Sequence, residues 1–134
     1  MFLLSRCFCF IRNISDSMSP TIRDGQSVFA VSSAFWHIHR GDIVLAKTSM
    51  KMDFPVLKRI VACPGDIVKI ENSVIQVNGK IIAEDIGINN KEQFLKMCEN
   101  EYYLIGDNVR NSFDSRNFGP IRGEDVLYIV LFVK

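Results

Sequence analysis

The sequence predicts a mainly β domain, with antiparallel strands in a folded-sheet or barrel-like arrangement and one short helix. Three observations carry this. Short runs rich in β-branched and apolar residues recur along the chain, Gly-Asp, Pro-Gly and Asn-Gly pairs separate them, and a single segment carries a helix-start signal. No internal repeat, low-complexity tract or linker divides the 134 residues, so residues 1–134 are read as one domain.

The opening MFLLSRCFCFI, residues 1–11, is apolar but contains Arg6. A bilayer span needs about 20 apolar residues, so the run is read as a buried strand. QSVFAV (26–31) follows an Asp-Gly turn, and GDIVLAK (41–47) starts on Gly-Asp. PVLKRIVA (55–62) ends just before the breaker Pro64-Gly65. DIVKI (66–70), SVIQV (73–77) and KII (80–82) are shorter, the last two joined by Asn78-Gly79, the strongest short hairpin signal. EYYLIGD (101–107) and EDVLYIVLFV (124–133) complete the set, and the VLYIVLFV core of the latter is also too short to span. The helix is expected where Asn90 caps, Gln93 follows three residues on, and Phe94, Leu95 and Cys98 share a face. SSAFWHIH (32–39) reads as irregular, with Phe35 and Trp36 either packed in the core or resting on a membrane.

A formal net charge of +1 gives no steering toward nucleic acid. Hydrophobic residues make up 48%, enough to leave an exposed apolar patch for a partner or a membrane. Cys7, Cys9, Cys63 and Cys98 have neither CxxC nor zinc spacing, and buried free thiols are the expectation. His37 and His39 would face one way on a strand, but two ligands without a third do not make a metal site.

Three polar, glycine-marked segments stand out: DSMSPTI, KRIVACPGD and GDNVRNSFDSRNFGP. The first puts Ser15, Ser17 and Ser19 at alternate positions ahead of a Ser-Pro turn. It is either a polar loop or a nucleophile, Ser17, with the Ser15 hydroxyl pointing the same way in an extended segment. In the second, Lys58 lies inside an apolar run, where strand alternation puts it on the side of Ile60 and Ala62. Facing a core, its amine loses hydration and its pKa falls, which makes a usable general base. On an edge strand, Lys58 and Arg59 would simply be solvated.

These segments, with GDIVLA between them, resemble the boxes of the type I signal peptidase family of serine peptidases. SDSMSPTI is similar to the family's S-x-S-M-x-P-T-L, GDIVLA to its G-D-I-V, LKRIVACPGD to its K-R-x-x-x-x-P-G-D, and GDNVRNSFDSRNFGPI to its G-D-N-x-x-N-S-x-D-S-R-x-x-G. The boxes keep the family's order from about Ser15 to Ile121. The resemblance implies a Ser-Lys dyad that needs no histidine. Ser17 matches the nucleophile and Lys58 the base, while Ser15 joins the Ser17 N–H in the oxyanion hole. Ser112 matches the hydroxyl that orients the lysine, and Asp114 and Arg116 the pair that braces the site. Met18, Ile22 and Leu57 align with positions lining shallow pockets for small substrate side chains one and three residues before the cut. Asn13 departs from the pattern, since an apolar residue is usual four places before the nucleophile.

The activity implied is cleavage of signal peptides or similar N-terminal segments from exported or membrane-tethered precursors. No cofactor or metal is implied. The partners would be a precursor protein and a membrane surface, on the non-cytoplasmic face of a bacterial envelope or of an organelle inner membrane. Family members normally carry N-terminal transmembrane anchors, whereas here the nucleophile falls at residue 17, so a short, anchorless member is expected. Two alternatives share the chemistry. A specialised pilin or conjugation-type processing peptidase would keep the same boxes. A self-cleaving repressor-like peptidase also carries a Gly-x-Ser-Met box and a lysine in a KR strand, but no DNA-binding domain or Ala-Gly pair precedes Ser17.

Overall fold

The computed structural model describes residues 7–48 and 54–134. Eleven strands, numbered in chain order, alternate along them: β1 (Phe8–Arg12), β2 (Ser27–Ser32), β3 (Ile43–Ala46), β4 (Val56–Ala62), β5 (Ile67–Glu71), β6 (Val74–Val77), β7 (Lys80–Glu84), β8 (Gln93–Lys96), β9 (Glu101–Ile105), β10 (Ile121–Arg122) and β11 (Val126–Val133). A four-residue helix, α1 (Ser115–Phe118), follows β9. One sheet has the order β1-β2-β11-β3-β4-β9-β10 and the other β7-β6-β5-β8. Neighbouring strands are antiparallel throughout, and both sheets are open.

The expected mainly β, antiparallel architecture with one short helix is the one observed, but the helix sits elsewhere. The segment read as helix from Asn90 is β8, paired with β5 from Ile67↔Lys96 to Ile70↔Gln93. Its burial alternates, with Leu95 and Met97 turned inward and Phe94 and Lys96 outward. That period of two belongs to a strand edge that β5 satisfies from a distance. The Asn90 amide caps nothing; it donates to the carbonyls of Ile86 and Gly87 at 3.0 and 3.2 Å. At Asn78-Gly79 the hairpin forms as expected, with φ +53° and +80° at the two turn residues and Val77 facing Lys80. Of the opening apolar run, residues 1–6 lie outside the described residues, and Phe8–Arg12 is a strand at the edge of the larger sheet, alternating exposed and half-buried. The cysteines are not deeply buried: Cys98 is exposed and the other three are half-buried. Phe35 and Trp36 are exposed rather than packed in the core.

β4 and β9 divide the interior. Ile60 and Leu104 pack into a cluster with Val31, Val44 and Ile129, while Ala62, Tyr103 and Ile105 pack against Val68, Ile70 and Ile75 of the smaller sheet. A third cluster, Met18, Ile22, Val28 and Leu57, anchors the loop between β1 and β2. Among the described residues, no helix is long and apolar enough to cross a membrane.

Candidate active site

The loop from Asn13 to Gln26 carries the three serines. It folds on itself through Ser19 N–H to Asp16 O and Ile22 N–H to Met18 O, both 3.0 Å, and sinks Met18 and Ile22 into the core. The segment after β9 clamps it from outside. Asn108 N–H donates to Ser17 O at 2.9 Å, and Asn108 Nδ2 to Asp16 O at 3.0 Å. Asp107 accepts from Thr21 Oγ1 at 2.6 Å and from Arg59 Nε and Nη2 at 2.8 and 2.7 Å. Burial pushes the Asp107 carboxyl up, but the hydrogen bonds from Arg59 and Thr21 and the Arg59 charge outweigh it, so the acid is held below the usual carboxylate range.

Lys58 enters from β4, an interior strand between β3 and β9, on the same face as Ile60; a register shift after Ile60 turns Ala62 into the other core cluster, so the expected alternation holds only as far as Ile60. It is 4% exposed, and its Nζ lies 2.7 Å from Ser17 Oγ and 3.1 Å from Leu57 O. Desolvation lowers its pKa to about 8, partly offset by the negative charge of Asp114. Ser17 is 6% exposed, and its N–H donates to Ser15 Oγ at 3.1 Å. The structure thus brings Ser15, Ser17 and Lys58 together from segments about forty residues apart.

Behind them, Asp114 is fully buried and acts as a hub. Its Oδ2 accepts from Ser112 Oγ at 2.8 Å, Gly106 N–H at 3.0 Å and Arg116 Nη2 at 2.9 Å. Its Oδ1 takes Arg116 Nε at 2.9 Å and, as the cap of α1, Arg116 N–H at 3.2 Å. The Ser112 hydroxyl therefore donates to this carboxylate, whereas the two hydrogen bonds of Lys58 go to Ser17 and Leu57. Arg116 also reaches Asn90 Oδ1 and Val109 O.

A cleft of about 330 Å³ opens beside Ser17 and Lys58, walled by Ile11, Leu45, Phe54, Val56, Leu57 and Phe113 and lined also by Asn13 and Ser15. Of the three expected pocket residues only Leu57 lines it; Met18 and Ile22 are core residues beneath the serine loop. Two roles were not legible in the sequence, that of Gly106 and that of Asn13, which the sequence marked only as a departure from the family's pattern. Gly106 tolerates no side chain, since a Cβ there would sit 2.6 Å from both Ser112 Cβ and the Ser17 carbonyl oxygen. Asn13 Nδ2 ties the serine loop shut by donating to Ser15 O at 2.8 Å and Arg23 O at 3.0 Å. The histidines stand apart from this arrangement: both are exposed, and His39 Nδ1 lies 3.8 Å from Asp42.

The family model described as "Signal peptidase, peptidase S26" matches residues 1–133. The chain is 34% identical to signal peptidase I V of Bacillus subtilis (strain 168), over 85% of this chain and 78% of that protein. It is 35% identical to a signal peptidase I of Bacillus amyloliquefaciens, over 86% of this chain and 68% of that one. The crystal structure of a signal peptidase I from Enterococcus faecalis V583 superposes with a TM-score of 0.53 at 24% identity, covering 74% of this chain and 97% of that one, which supports the fold. A match along nearly the whole chain, together with relatives above 30% identity, leaves one assignment: the chain belongs to the signal peptidase family, peptidase S26, as a type I member and a serine peptidase.

Proposed function

We propose that the protein is an endopeptidase that removes signal peptides, or similar N-terminal segments, from exported or membrane-tethered precursors by a Ser17-Lys58 mechanism. The observation that carries this is the buried 2.7 Å contact between Lys58 Nζ and Ser17 Oγ at the floor of an open cleft. A lysine with a pKa of about 8 is neutral in a substantial fraction near that pH. Its lone pair then takes the Ser17 proton as Oγ attacks the scissile carbonyl, while Leu57 O holds a second N–H and aims the amine. The carbonyl oxygen becomes an oxyanion beside two donors, the Ser15 hydroxyl and the Ser17 N–H. Since the Ser15 oxygen accepts from that N–H, its own proton is left to donate, and an incoming oxyanion shares the N–H.

Collapse of the intermediate breaks the peptide bond. The Lys58 ammonium gives its proton to the leaving amine, and an ester to Ser17 remains. Water, deprotonated by the again neutral Lys58, hydrolyses the ester and restores the hydroxyl. The apolar walls at Leu45, Val56 and Leu57 favour small apolar side chains next to the cut.

An apolar outer face supports a membrane setting. Phe29 stacks with Phe8 and Phe132 at 5.5 and 5.0 Å and touches Phe10 at 5.1 Å, and Phe10 and Phe132 are 62% and 55% exposed. Such a patch on one sheet face suits the interfacial layer of a bilayer. Phe10→Ser/Phe132→Ser is expected to reduce flotation with vesicles, and unchanged flotation would remove this assignment. The activity itself is tested by incubating the protein with a purified precursor bearing an Ala-x-Ala site, in detergent, and sequencing the new N-terminus. A single cut after the second alanine is expected, and cuts scattered elsewhere contradict the proposal.

A further inference from the structure

Asn13 has a second side that the proposed reaction does not use. Its Nδ2 is surrounded by main-chain carbonyls, those of Ser15 at 2.8 Å, Arg23 at 3.0 Å and Ile22 at 3.5 Å. Carbonyls accept and never donate, so this end of the amide is nitrogen, and chemistry alone settles the orientation. The planar amide then turns Oδ1 away from them, and Oδ1 has no hydrogen-bond partner among the described residues. Among those same residues, no buried side-chain nitrogen or oxygen lacks a partner. Oδ1 is therefore in contact with solvent, although Asn13 as a whole is only 4% exposed. Asn13 lines the cleft next to Ser15 and Ser17.

The result is a fixed acceptor beside the apolar wall formed by Ile11, Leu45, Val56 and Leu57. Two short hydrogen bonds from the nitrogen, to Ser15 O and Arg23 O, hold the group in place, so it loses little entropy when a ligand binds. A ligand that buries Oδ1 without a donor leaves a desolvated carbonyl oxygen unpaired, and one with a donor satisfies it. We propose that Asn13 is a specificity-determining residue that makes this cleft accept a small hydroxyl-bearing side chain, serine in the first instance, close to the scissile bond. This rests on the peptidase reading of the cleft.

The test compares two peptides that differ only in serine against its isostere 2-aminobutyrate, placed at the residue before the cut and, in a second pair, three residues before it. Binding is measured by calorimetry to the Ser17→Ala variant, which keeps Asn13 intact. At one of the two positions serine is expected to bind about two- to tenfold more tightly, the range of one neutral hydrogen bond. Asn13→Leu in the same background is expected to erase that ratio. The inference is overturned if 2-aminobutyrate binds as tightly at both positions, if neither peptide binds, or if the serine preference survives Asn13→Leu. Cleavage by the unmodified protein separates the two claims. Equal cutting of both peptides keeps the peptidase and removes the Asn13 site, whereas serine-selective binding by a protein that cuts nothing keeps the site and removes the peptidase.

Discussion

Asp114 and Arg116 form a bidentate, nearly buried pair, with Arg116 Nε and Nη2 each 2.9 Å from a different carboxylate oxygen. The pair stands directly behind the site, because Asp114 also holds Ser112 and Gly106. Removing one partner leaves a buried charge uncompensated, which typically costs about 3–5 kcal/mol. Arg116→Met is expected to lower unfolding stability by that order in a urea titration. A loss under about 1 kcal/mol would mean the pair contributes no more than a surface ion pair.

Gly106 is required by contact rather than by backbone angle. Its Cα hydrogens face Ser112 and the Ser17 carbonyl, and an added methyl group would press on that carbonyl at 2.6 Å. The backbone cannot swing aside as a flexible side chain would, so Gly106→Ala shifts the Ser17 loop. Misplacement of that size can cost about a hundredfold in rate, and overpacking about 1–3 kcal/mol. Steady-state kinetics alongside thermal unfolding would separate the two effects, and wild-type kinetics in this variant would contradict the clamp.

Most of the strands were legible because local rules carried them, whereas the meeting of Ser17 with Lys58 was implied only by the resemblance to the family's boxes. Alternation put Lys58 on the buried face with Ile60, though a bulge turns Ala62 the other way, and Asn78-Gly79 announced its hairpin. β8 was not legible, because the pattern around Asn90 and Gln93 suits a helix cap locally while the hydrogen bonds that make it a strand come from β5. α1 was hidden for the opposite reason: its four residues are too few to show a period, and the Asp114 cap with its Asn117 partner holds it in place. Gly106 acts by close approach to the distant Ser17 loop, and Asn13 by hydrogen bonds that close that loop on itself, neither of which a local pattern reports.

Ser15 offers a clean kinetic signature. If its hydroxyl stabilises the oxyanion, Ser15→Ala should reduce kcat by about 10²–10³ with little change in KM, since that bond strengthens in the transition state. The Ser17 N–H loses only a neighbouring acceptor in this variant, so the fold should hold. A rise in KM at constant kcat would assign Ser15 to substrate binding instead.

Lys58 ties activity and stability to pH in linked ways. The amine must be neutral to act, and its pKa is lowered from 10.5 to about 8 by burial. Below about pH 8 activity should fall roughly tenfold per unit, and above it should level off. For stability, the unfolded chain holds the proton more tightly than the folded one between these two values. Stability therefore falls as pH drops from 10.5 through about 8, by about 3 kcal/mol in all. Lys58→Met should abolish activity yet unfold at higher urea than the parent at pH 7. A flat activity profile from pH 6 to 9, or a less stable Lys58→Met, would contradict a desolvated base.

The most direct measurement is cleavage of one purified Ala-x-Ala precursor by four proteins side by side: wild type, Ser17→Ala, Lys58→Ala and the double variant His37→Ala/His39→Ala. A Ser17-Lys58 dyad requires the first and the last to cut at comparable rates, and the two dyad variants to be inactive even at pH 9. Cutting by Lys58→Ala together with failure of the histidine variant would contradict the dyad and place the base elsewhere.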